Sequence, residues 1–310
     1  MSEYSDLIAA DGYVALWKLD DNAASTTVVR TGSAGNNGTL TGGDNTSTLS
    51  TADAPAGIGG RSLHFNGSDD AISLGDSDDY TIYTTHPSFS AECWIKADTS
   101  SVGVYFNKQG EWALLHDASG GEINPNASIQ KTDLNMMHYS TAGGATYDLN
   151  VWHHMVFTFD RSGNTHKHYV NGVDVTNDVV GSSGGDGNTT NTLYLGRNLP
   201  GTQWLDGYMS HAAIYHTVLT PTQILKHYEV GAGISTYIDA GTTQTIAFTA
   251  PAPTVSVEGT VNVTADLATV SFSAFAPTIS IGIDISAPAA EVTFTAPSPT
   301  VAADNSNTFT

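Results

Sequence analysis

Short segments in which apolar and polar residues alternate recur from residue 11 to residue 231, each closed by a turn rich in Gly, Asn, Asp or Ser. "YVALWKL", "RSLHFNG", "SAECWIKA", "GVYFNK", "EWALLH", "HHMVFTF", "KHYVNG" and "TLYLGRN" are all of this kind. A period of two sends successive side chains to opposite faces, so each segment reads as a strand with one buried face, and the "NG" and "GD" pairs read as hairpin turns. Such a chain stacks antiparallel sheets and does not build a helical bundle. Only "TPTQILKHYEVG" reads as a helix, with Thr220 as N-cap, Pro221 at the first helical position and Gln223 completing a capping box. Gly231 is expected to end it, and Ile224, Leu225 and Tyr228 to form its apolar face.

With 310 residues, 40% of them hydrophobic, the chain has material for one large all-β domain and an appendage. Ten Lys and Arg stand against 31 Asp and Glu, a formal net charge of −21. That charge repels phosphate backbones and anionic lipid surfaces, so neither nucleic acid nor membrane is expected as a partner. The single Cys93, in the apolar run "AECWIKA", reads as a buried structural thiol. The first residues lack the basic and apolar regions of an ordinary secretory signal, and no apolar run is long enough to span a bilayer.

The order of the segments carries a resemblance. "ALWKLDD", "SLHFNGSDDAISLG", "SFSAECWIKAD", "WHHMVFTFD", "HKHYVNGVDV", "LYLGRN" and "WLDGYMSHAAIYHTVLTPTQILKHY" follow one another as in the laminin-G-like branch of the concanavalin A-like lectin/glucanase superfamily. The resemblance implies a concanavalin A-like antiparallel jelly-roll sandwich over residues 1–231, all-β apart from one short helix near its end.

Sugar hydrolysis needs paired carboxylates a few ångströms apart. Glu92 and Asp98 share a strand face, as do Glu111 and Asp117, but six residues separate each pair, about 20 Å of extended chain. A hydrolase or lyase is therefore the weakest expectation, and no enzyme activity is assigned. His166 and His168 share a strand face as metal ligands could, but read as ordinary decoration of a polar face, and His154 in "WHHM" reads as packed. The resemblance implies a structural calcium ion, with Asp20 and Asp206 as its ligands. It also implies glycan binding, for which the middle of the chain supplies Trp112, His138, Tyr139 and Tyr147 as stacking and hydrogen-bonding groups.

Composition changes near residue 232, beyond which Lys, Arg, His, Trp, Cys and Met are absent. After a linker at 232–244, a phrase is repeated three times in 245–310: Phe248, Phe272 and Phe294 stand 24 and 22 residues apart, and Pro253, Pro277 and Pro299 keep those spacings. Each copy reads as short strands broken at proline, too small to stand alone and without the positive charges that guard free edges. The repeats are expected to assemble with one another in a homo-oligomer, or with other proteins. Phage and virus structural proteins join such segments to lectin-like heads. The expected protein is thus a non-enzymatic virion surface component, a decoration, fibre or tail protein anchored to capsid or tail proteins and facing glycans. The alternative is an extracellular or cell-surface carbohydrate-binding adhesion module.

Overall fold

The computed structural model describes residues 3–234 except 82–85, 87, 120, 132–135, 142–145, 161, 164, 183–189 and 200, together with five short strands between 254 and 304. For residues 119, 130–131, 136–141 and 178–182, and for those five strands, it describes the backbone only. Two compact units divide at Ile234/Ser235.

In the first unit, two nine-stranded antiparallel sheets lie face to face. One runs Val173–Asp174, Thr165–Val170, His153–Asp160, Ser88–Ala97, Asp206–Tyr215, Ala15–Trp17, Arg30–Thr31, and Ser62–Asn66 and Ser50–Thr51 extend it beside Asp206–Tyr215. The other runs Asp178–Ser182, Met136–Thr141, Glu122–Lys131, Trp112–Ser119, Gly103–Lys108, Leu193–Leu195, Ala71–Ser73, Gly38–Thr41, Thr27–Val28. This is the antiparallel sandwich that the alternating segments imply, in the jelly-roll form that the resemblance implies. Phe89, Ala91, Cys93 and Ile95 point inward from one sheet and meet Phe106, Trp112, Leu114 and Leu195 of the other. Cys93 is fully buried, and burial pushes its thiol pKa well up, as a structural thiol requires. Asn171 and Gly172, at φ 51° and 79°, turn the chain between Thr165–Val170 and Val173–Asp174, the left-handed pair that an Asn-Gly hairpin supplies.

The first sheet has a second layer outside it. Helices Glu3–Ala10 and Pro221–Ala232 cover Leu16, Trp94, Val156, Ala213 and Tyr215 on its outer face. The helix at 3–10 was not foreseen: eight residues carry too short a periodic pattern to stand out, and its place depends on Tyr4, fully buried against Trp94. The later helix begins as expected, with the Thr220 cap and Gln223 box in place. It ends later, however: Gly233, at φ 71°, is the left-handed cap. Gly231 stays helical because a Cβ there would lie 2.3 Å from the Trp94 indole. The buried face is Ile224, His227 and Val230, while Leu225 is 43% exposed. Among the described residues no helix is long and apolar enough to cross a membrane.

In the second unit the described strands pair in parallel. Thr254–Ser256 lies beside Thr278–Gly282, which lies beside Val301–Asp304, and Ala268–Ser273 lies beside Ala290–Thr295. Thr254 aligns with Thr278 and Phe272 with Phe294. Phe248, Pro253, Pro277 and Pro299 lie outside the described residues.

Candidate functional site

On the second sheet the core takes every other residue, and the remainder form its outer face. Strand register aligns Thr39, Ser73, Tyr194, Asn107, Ala113, Ser128 and Tyr139 in one row across that face. Small and polar side chains dominate it, so the row is open where a bulkier set would close it. A shallow cleft of about 80 Å³ lies beside Asn107, Gln109, Glu111, Ala113 and Ser128, smaller than the pockets that enclose drug-sized ligands.

One wall of this region is built by the loop after Leu193–Leu195. Asn107 Oδ1 accepts the Leu199 backbone N–H at 3.1 Å, which pins the loop to the sheet and leaves the Asn107 amide nitrogen as a donor. The Arg197 guanidinium carbon lies 4.0 Å from the centre of the Tyr194 ring and 5.4 Å from that of Trp204. Cation–π contact with both rings holds the guanidinium in place while Tyr194, Arg197 and Trp204 all stay partly exposed. Two residues along from Ser128 on the same face, Asn126 donates to Asp117 Oδ2 at 2.7 Å. Among the described residues the Asn126 and Asn124 side-chain oxygens, both buried, accept no hydrogen bond. Such acceptors require a donor from water or a ligand hydroxyl.

Of the sugar-binding residues expected from sequence, Trp112 is corrected. It is 2% exposed, packs on Phe89 and Phe106, and donates its indole N–H to the Tyr80 carbonyl at 2.8 Å. The strand "EWALLH" is apolar on both faces, so alternation alone did not tell which face Trp112 took. Tyr147 is partly buried against the core, edge-on to His153 at 5.4 Å and away from the row. Backbone register sets Tyr139 opposite Ser128 and His138 opposite Ile129; their side chains lie outside the described set. Tyr194, Arg197 and Trp204 were missed, although "YLGRNLPGTQW" carries the cue: two aromatics and an arginine bracketing a Pro-Gly loop.

The two residues expected to share a calcium ion, Asp20 and Asp206, differ in their surroundings. Asp206 groups with His64 and Asp98, their ligand atoms within 4.8 Å of one another, and Asp20 is exposed and outside that group. His166 and His168 do not decorate a polar surface: they are 4% and 0% exposed and stand in register with the core residues Phe159 and Phe157.

Beneath helix Pro221–Ala232 lies a charged network. Glu92, fully buried, accepts from Tyr215 Oη at 2.6 Å, His154 Nε2 at 3.0 Å and His227 Nδ1 at 2.9 Å, and His227 Nε2 reaches Asp11 at 2.8 Å. Burial alone would raise the Glu92 pKa, but His227 and His154 outweigh it and hold the carboxyl well below its usual range. Burial would lower His227, but Glu92 and Asp11 outweigh it and hold its pKa at about 9. His154 is lowered by burial, and its ring stacks on Trp94 at 5.0 Å, packed as expected. Glu92, His154 and His227 are sealed from solvent and Asp11 is partly exposed at the edge, so the network fastens the helix to the sheet.

The profile of the concanavalin A-like lectin/glucanases superfamily matches residues 66–225. The chain belongs to this superfamily. The matched span contains Asn107, Ser128, Tyr194, Arg197 and Trp204, whereas Asp20 and the helix at 3–10 precede it. No curated protein sequence matches the chain. Among solved structures it is similar to domain 4 of AbnA, an extracellular arabinanase of Geobacillus stearothermophilus, in complex with arabinotriose: 20% identity over 70% of this chain and 98% of that one, TM-score 0.49. It is also similar to the receptor binding domain of botulinum neurotoxin C/D mosaic serotype, at 18% identity over 71% of this chain and 51% of that one, TM-score 0.45. At these identities and scores neither likeness speaks to ligand or activity.

Proposed function

We propose that the chain is a non-catalytic, lectin-like carbohydrate-binding protein that holds its ligand on the outer face of the second sheet. The observation carrying this reading is the cleft beside Asn107, Ala113 and Ser128, with Tyr194, whose ring meets Arg197, in register with Asn107. Sugars offer apolar C–H faces and arrays of hydroxyls. Trp204 and Tyr194 supply flat apolar surface, the Asn107 amide and Arg197 supply donors, and the Asn124 and Asn126 oxygens supply acceptors. Glu111 is the one carboxylate lining the cleft among the described residues, and it is 1% exposed with Lys108 at 3.9 Å. Glycoside hydrolysis needs a second carboxylate opposite the first, so the cleft binds without cleaving. The test is a glycan array followed by calorimetry on the hits. Trp204→Ala and Asn107→Ala should each weaken binding about tenfold, with unchanged circular dichroism. Undiminished affinity in both variants would place the ligand elsewhere and remove the proposal.

A finer reading makes this a surface component of a virion, with the carbohydrate-binding unit outermost. It is favoured by the pairing of the C-terminal strands, whose register follows the sequence repeat: Thr254 on Thr278, Phe272 on Phe294. A stack of that kind can be extended at its edges by another copy or by a capsid or tail protein.

A further inference from the structure

On the reading of the second sheet's outer face as a glycan site, we propose that its ligand is an acidic glycan, bearing carboxylate or sulfate groups, and that Arg197 receives the anionic group. The Arg197 guanidinium meets the ring of Tyr194, which is in register with Asn107 beside the cleft, so a sugar chain laid on the row passes it. None of the seven residues of that row carries a formal charge at neutral pH, and Arg197 is the one charged residue from 190 to 205. Glu111, in the cleft, and Asp76 both face the fully buried Lys108. Asp117 stands four residues from Ala113 along its strand, about 13 Å of extended chain.

Arg197 is held firmly while its hydrogen bonds stay unused. Among the described residues it donates to no acceptor and meets no carboxylate. Its Nε is buried, so the donors open to solvent are those of Nη1 and Nη2. With 31 Asp and Glu against ten Lys and Arg, carboxylates are plentiful. Lys96 takes Asp53, Lys108 takes Asp76 and Lys167 takes Asp174, whereas Arg197 takes none. The loop that carries it is rigid: Asn198 Oδ1 accepts the Thr202 N–H at 2.9 Å and the Gln203 N–H at 3.0 Å, and Leu205 N–H donates to the Gly196 carbonyl at 2.8 Å. Trp204 is fixed too, its indole N–H donating to the Gly201 carbonyl at 3.2 Å. A guanidinium already placed by two rings and a pinned loop loses little freedom when a ligand arrives.

The terminal nitrogens of a guanidinium form a planar fork that matches the paired oxygens of a carboxylate or sulfate. Hydrogen bonds to an ionised partner are roughly twice as strong as those to a neutral sugar hydroxyl, so an idle fork on a sugar-binding face favours the acidic sugar. The net charge of −21 opposes a polyanion at long range, but salt screens that repulsion beyond about 8 Å at physiological ionic strength. An anionic chain is therefore accepted where Arg197 stands and repelled from acidic surface elsewhere, which confines it to this face.

The full chain is titrated by calorimetry with polygalacturonate and alginate, which carry carboxylates, and with dextran sulfate and carrageenan, which carry sulfates. Arabinan, dextran and the methyl ester of polygalacturonate are the neutral probes. At least one acidic probe should bind about tenfold or more tighter than every neutral one, and which pair it belongs to tells carboxylate from sulfate. Arg197→Gln should weaken that probe about ten- to hundredfold and bring it level with the neutral probes. Arg197→Lys, which keeps the charge without the fork, should recover only part of the loss. Lys167→Gln removes the same charge from the first sheet and should change nothing. Thermal melts confirm that each variant folds. Neutral probes bound as tightly as acidic ones, or an acidic probe unaffected by Arg197→Gln, overturn the proposal and leave the glycan site standing. Equal losses in Arg197→Gln and Lys167→Gln also overturn it, since net charge would then be the cause. Binding of no probe removes both readings.

Discussion

Glu92 carries the heaviest electrostatic load of any single residue described. Three donors converge on it out of solvent, and one of them, His227, is held protonated with a pKa of about 9. A histidine raised from 6.5 gives stabilisation that is complete below 6.5 and fades as pH rises through about 9. The lowered carboxyls of Glu92 and Asp11 act in the other direction, their contribution present above the usual carboxylate range and lost as the medium becomes acid. Glu92→Gln leaves the His227 charge with Asp11 as its one anionic partner and should cost about 3 kcal/mol at neutral pH. It should also remove most of the wild-type decline between pH 7 and 10, read by urea denaturation across that range. A variant as stable as the parent throughout would show that the network is not what fastens the helix. None of this was legible locally. "AECWIKAD" shows a carboxylate in a strand, but its partners arrive from residues 154, 215 and 227. Trp112 failed for a related reason, since its burial is decided by which of two apolar faces turns inward.

Elements were more legible than sites because strand alternation and cap chemistry are written within a few residues. The Asn171-Gly172 turn and the Thr220 capping box both stand where their residues put them. The far end of the same helix shows the limit: Gly231 and Gly233 look alike in sequence, yet one makes room for Trp94 and the other turns the chain. Gly231→Ala should therefore destabilise the unit by about 1–3 kcal/mol through overpacking, although alanine is the better helix former by nearly 1 kcal/mol. Chemical denaturation followed by tryptophan fluorescence measures this, and a stabilised variant would mean that the helix rides further from the sheet than described. The helix at 3–10 shows the converse, an element whose own pattern is slight and whose reason lies in the aromatic surface beneath it.

At the scale of the whole molecule, the two units differ in how they solve their edges. The first covers one outer face with helices and keeps the other small and polar. The second repeats itself, and its strands pair at the offset of the repeat. A chain ended after Ile234 should melt at the temperature of the first unit in the full protein, keep its glycan affinity and sediment as a monomer, while the full chain self-associates. Equal association of both would remove the assembly role assigned to residues 245–310.

The row that crosses the second sheet from Thr39 to Tyr139 has a further property. It steps across seven strands, and neighbouring strands lie about 4.8 Å apart, so it runs for about 29 Å with one residue at each step. A polymer laid along it meets a fresh contact at every strand, and the sheet's own backbone spacing becomes a ruler. The pitch of that ruler is set by peptide hydrogen bonds and does not drift when side chains change, so substitutions along the row can alter which sugar is preferred while the spacing between contacts stays constant.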